Sequence, residues 1–60
     1  MTRESLELLA YLEARAAEGG DLAADYEILA ARLEIASPDR LPRVILETRR
    51  ELAALERSEP

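Results

Sequence analysis

Four arginines, Arg40, Arg43, Arg50 and Arg57, carry the clearest chemical signal in this chain. Placed at helical steps of about 100° per residue, they fall within an arc of roughly 100°. Arginine presents a planar fork of N–H donors that can hold guanine O6 and N7, or a phosphate, bidentately. Ser37 precedes them and is expected to cap the helix that carries them, where early amides suit a phosphate. Asp39 and Glu47 lie on the same side. They can accept from cytosine N4, or pair with Arg43 and Arg50 at helical spacing. The set Ser37, Asp39, Arg40, Arg43, Glu47 and Arg50 is therefore the candidate DNA-binding site. The same residues would also suit an ordinary solvated helix face.

Other chemistries are poorly supplied. The chain has 60 residues, no cysteine and no histidine. That excludes a thiol nucleophile, an imidazole base and a Cys/His zinc site. Carboxylates, Arg, Tyr11 and Tyr26 remain, inside a core too small to wall off a pocket. Neither an enzyme nor a cofactor is expected. No apolar run approaches the roughly 18 to 20 residues a membrane span needs, and the first residues do not read as a signal peptide, so a cytoplasmic protein without membrane contact is expected.

The formal charge of −5 opposes nucleic-acid binding as an average. Its distribution is uneven. Residues 1–35 hold three Arg against eight acids, whereas residues 36–60 hold five of each. The cationic surface belongs to the C-terminal part.

The elements that must position the arginines read as three helices, giving an all-α fold in a single domain over residues 1–57 with a frayed tail at 58–60. The first helix is expected over about 3–18, with Thr2 as N-cap and Gly19-Gly20 as its stop. Leu6, Leu8, Leu9, Leu12 and Ala16 give it a broad apolar arc, while Glu4, Glu7 and Arg15 can face water. The second is expected over about 25–36, capped by Asp21 or Asp25, with Leu22, Tyr26, Leu29 and Leu33 on one face. The third is expected over about 38–57, with Ser37 as N-cap and Pro38 at its first position. Pro42 then falls inside it, so either its first turn is irregular or the regular helix begins at Pro42. Leu41, Ile45, Thr48, Leu52 and Leu55 form its core stripe. Both tyrosines are expected at the edge of the core.

Residues 25–55 have the layout of a helix-turn-helix. Ala30 supplies a small residue where the helices cross, and Ile35 an apolar plug for the turn. On Leu29-Ala30, Arg32-Leu33, Ile35 and Ser37-Pro38-Asp39, residues 8–57 resemble the winged helix-turn-helix domain, in particular the N-terminal domain of LexA-type repressors. Arg50-Glu51-Leu52 with Leu55-Glu56-Arg57 resembles the end of that family's recognition helix. The resemblance implies a third helix that reads the major groove. Two departures accompany it. Glu34 stands where the family commonly has glycine, so the turn must be strained or differently shaped, and the chain stops where the β-hairpin wing would begin.

Leu46 and Ala53 lie off both the core stripe and the arginine arc, and Leu8 and Ile28 are surplus to a three-helix core. These four are the expected contacts of a homodimer, which would recover burial a small domain lacks. The alternative function is an acidic protein-interaction module, an inhibitor or antitoxin-like regulator, binding a basic protein through the Glu-rich residues 4–34.

Overall fold

Thr2 begins the fold as the sequence predicts. Its Oγ1 accepts the Ser5 N–H at 3.2 Å, and the buried Ser5 hydroxyl donates back to the Thr2 carbonyl at 2.8 Å. This cap starts α1, Arg3–Ala17, in a computed structural model that describes residues 1–58. Glu4 lies in the first turn, where the helix dipole favours a negative charge. Gly19 and Gly20 follow the helix with φ of 78° and 92°. A Cβ at Gly19 would meet nothing within 4 Å, so only the backbone conformation demands glycine there. Gly19→Ala is expected to lower stability by roughly 1–2 kcal/mol in a urea titration, the cost of a left-handed L-residue.

The chain enters α2, Ala23–Ile35, through a turn closed by the Ala23 N–H on the Gly20 carbonyl. Leu22 stands at the N-cap with no side-chain bond, so neither Asp21 nor Asp25 caps this helix. The backbone turn already delivers the chain in helical geometry, and Asp25 lies in the first turn, where the dipole favours its charge. The α3 helix, Leu41–Arg57, begins three residues later than the expected start at 38. Ser37 to Arg40 instead form a turn in which the Arg40 N–H meets the Ser37 carbonyl at 3.0 Å. Pro38 takes its second position, a favoured place for proline in turns. Starting at Leu41 puts Pro42 in the first helical turn, where its missing N–H breaks no helical bond. Ser37 is therefore not an N-cap.

Leu8, Leu12, Tyr26, Leu29, Ala30, Leu33, Leu41 and Ile45 form the core. Leu12 and Leu33 are completely buried, and Leu22, Leu52 and Leu55 pack against its edge. α2 packs on both other helices. Its apolar face is the one read from Leu22, Tyr26, Leu29 and Leu33.

Several expected placements are corrected. Leu8 is only 8% exposed and belongs to the core, so it is not a surface dimer contact; Leu6 is the leucine of that arc left outside. Ile35 is 83% exposed and plugs nothing, because α2 continues through it and the helical period turns it away from Leu33. Ala36 packs on the core in its place. Ala30 is buried, but it lines the surface shared with Glu13, Ala16 and Ala17, so its small size serves the approach of α1 and α2. Tyr26 is a core residue and not an edge residue. Glu34 lies within α2, and no residue other than glycine has positive φ among the described residues. The link to α3 is thus a differently shaped turn without strain. Ser58 caps α3 through its N–H and hydroxyl on the Ala54 carbonyl, so of the expected frayed tail only Glu59 and Pro60 lie outside the described residues.

Candidate nucleic-acid interface

The ion pairs of the bundle divide the arginines into two groups. Arg32 holds both carboxylate oxygens of Glu51 at 2.7 and 2.8 Å, tying α2 to α3. Arg49 meets Glu4 at 2.7 Å and ties α3 to α1. Arg15 donates to the Tyr26 hydroxyl at 3.0 Å and lies 3.7 Å from Glu56. By contrast, Arg40, Arg43, Arg50 and Arg57 are exposed and make no ion pair or side-chain hydrogen bond among the described residues.

Helix geometry explains this division. Arg49 lies on the flank of α3 that faces α1, and Glu51 on the flank that faces α2. Arg43, Arg50 and Arg57 occupy the outer side, away from Leu41, Ile45 and Thr48, whereas Arg40, the residue before α3, stands on the Glu51 flank. Along the axis, Arg43, Arg50 and Arg57 follow one another at seven-residue steps, about 10 Å apart. Asp39 and Glu47 are exposed too, but neither pairs with Arg43 or Arg50. Local spacing permitted those pairs, whose worth on a solvated surface is only a few tenths of a kcal/mol.

A groove of about 390 Å³ runs along the α2–turn–α3 side. It gathers Ser37, Arg40 and Glu47 with Arg32 and Glu51, over a floor that includes Ala36, Val44 and Thr48. Asp39, Arg43 and Arg50 lie outside it. The candidate set is therefore split between a groove and a convex arginine row, not gathered into one pocket. Of the expected dimer contacts other than Leu8, Ile28 and Leu46 are each 51% exposed and Ala53 is exposed.

One polar cluster escaped the sequence reading. Tyr11 and Tyr26 both donate their hydroxyls to Glu56 Oε2, the latter at 3.2 Å, with the Arg15 guanidinium 5.2 Å from the centre of the Tyr26 ring. Arg15 is thus drawn inward instead of facing water. Its local signals were the i, i+4 spacing of Tyr11 and Arg15 and the i, i+3 pair Arg15–Glu18 at 3.3 Å.

This cluster is a clamp across all three helices. The hydrogen bond to Glu56, followed by burial and the Glu56 charge, pushes the Tyr11 phenol above its ordinary value of 10. The phenol is thus held protonated, the reverse of an activated base or nucleophile. The hydrogen bond with Tyr26 likewise raises Arg15, which stays cationic. Because the folded chain holds the Tyr11 proton more tightly than the unfolded one, its contribution is present below pH 10 and is lost as pH rises through the folded value. In an ultraviolet titration, Tyr11→Phe is expected to remove a tyrosinate transition lying above pH 10; a Tyr11 midpoint at or below 10 contradicts the clamp.

Among the described residues no helix is long and apolar enough to cross a membrane. No protein-family model matches the chain, and neither the curated proteins nor the solved structures include one that matches it.

Proposed function

We propose that this chain is a small double-stranded-DNA-binding protein of helix-turn-helix type, with α3 as the helix that enters the major groove. It acts by binding alone, as a transcriptional regulator does, and not as an enzyme. The observation that carries the reading is the row of exposed arginines on α3 that have no partner among the described residues, while Arg32 and Arg49 are committed to carboxylates on neighbouring helices. Arg40, at the start of α3, and Arg43, one turn on, are the residues placed to reach base edges or flanking phosphates. Fluorescence anisotropy on duplexes from the protein's own genomic neighbourhood, at low salt, tests this. Binding that is lost in the triple variant R40A/R43A/R50A supports it, and binding unchanged in that variant overturns it.

A second reading rests on a different observation. Glu13, Glu27 and Glu34 rim a groove between α1 and α2 whose floor is Ala16, Ala17, Ala30 and Ala31, and none of the three has a salt-bridge partner among the described residues. Three free carboxylates over a small-residue floor suit a basic protein segment. Capture of such a partner that depends on Glu13 and Glu27, and not on the arginines of α3, would favour this reading over DNA.

A further inference from the structure

The outer face of α2 lies away from the core, yet it is patterned. Ala24, Ile28, Ala31 and Ile35 follow at steps of four, three and four, and all are exposed. Ile28 is 51% and Ile35 83% exposed, on the side opposite Tyr26, Leu29, Ala30 and Leu33. Written as a heptad, the two isoleucines occupy a positions and the two alanines d positions, while the residues facing the core occupy b, c and f. An a/d stripe of this kind is a seam for another helix, and β-branched residues at a favour two parallel strands.

Flanking charges identify the second helix. Asp25 and Arg32 stand at e, and Glu27 and Glu34 at g. In a parallel pair of identical helices, g of one chain faces e five residues further along the other. Glu27 then meets Arg32 of the second copy twice, by symmetry, and no like charges oppose within the helix. Antiparallel pairing would set Asp25 against Arg32 but also Glu27 against Glu34, two acid–acid contacts. Arg32 is already held on this flank by Glu51, which leaves guanidinium donors for a further carboxylate.

We propose that two copies of this chain associate in parallel through the outer face of α2, with Ile28 and Ile35 packing on their two-fold mates. Of the surface residues first expected to make a dimer, Ile28 belongs to this seam; Leu46 and Ala53 lie on α3 and do not. The pairing is independent of whether DNA is the ligand, and its test contains none.

Sedimentation equilibrium of the full chain is expected to give twice the single-chain mass of 6.7 kDa. The double variant I28E/I35E is expected to fall to the single-chain mass with its helical circular dichroism retained, since both positions are exposed and glutamate is a good helix former. Direction is read by Ala24→Cys in this cysteine-free chain. Parallel pairing brings the two sulfurs together. Antiparallel pairing would separate them by about 16 Å along the axis, beyond disulfide reach. Oxidation of that variant to a covalent dimer supports the proposal. A single-chain mass for the parent, an unchanged mass for I28E/I35E, or a doubled mass with no cross-link at position 24 overturns it.

Discussion

Leu33→Ala is expected to remove roughly half of the protein's folding free energy. Leu33 is completely buried, the last residue of the α2 face that packs on the rest of the core, and Leu12 is its completely buried counterpart on α1. Truncating such a leucine removes its transfer free energy and leaves a cavity, together about 2–5 kcal/mol. A domain of this length has only about 3–9 kcal/mol to lose, at roughly 0.05–0.15 kcal/mol per residue. No disulfide supports the fold, since the chain has no cysteine. Denaturant unfolding followed by circular dichroism measures the effect. Leu46→Ala, at an exposed position, is the matched control and is expected to move the midpoint by no more than about 0.5 kcal/mol. Equal behaviour of the two variants would contradict the assigned core.

The second large effect concerns the arginine row. Reversing two of its charges, in the double variant R43E/R50E, is expected to abolish duplex binding without altering stability appreciably. Both side chains are exposed and without partners among the described residues, so the fold loses no contact with them. Binding loses two cations and gains two repulsions beside the phosphates. Arg43→Ala alone is expected to cost about 1–3 kcal/mol if its fork holds a guanine. Arg49→Ala makes the same change in net charge, but on the flank of α3 that meets Glu4 of α1. It should leave duplex affinity nearly intact. A loss as large in Arg49→Ala as in Arg43→Ala would mean that net charge, not the face, governs binding.

The two kinds of information in the sequence differed in reach. Periodicity located the core faces of α2 and α3: Tyr26, Leu29 and Leu33 on α2, and Leu41, Ile45 and Thr48 on α3, are buried on the sides their spacing marks, Tyr26 more deeply than expected. Within the wider arc of α1, spacing could not decide between Leu6 and Leu8, because both fit the arc and only packing in the core selects Leu8. Two prolines four residues apart competed to start α3. Proline rules alone allowed 38, whereas the complete turn from Ser37 to Arg40 favours 41. The misplaced plug, Ile35, followed from assuming that the turn began there.

Charges were the least legible feature. Spacing along one helix suggested Asp39–Arg43 and Glu47–Arg50, but apart from the local pair Arg15–Glu18 at 3.3 Å the pairs that form cross between helices: Arg32 with Glu51, Arg49 with Glu4, and Tyr11 with Glu56. Such partners are set by packing and leave no local trace. The same packing explains why the arginines of the outer α3 face remain free, since no acidic residue of α1 or α2 forms a pair with them.

The most direct measurement is the salt dependence of binding to a DNA duplex by the parent chain. If Arg40, Arg43, Arg50 and Arg57 each neutralise a phosphate, the logarithm of the association constant should fall against the logarithm of salt concentration with a slope of about −3 to −4. No binding at low ionic strength, or binding with a slope near zero, would contradict the assignment of α3 as a DNA-binding helix.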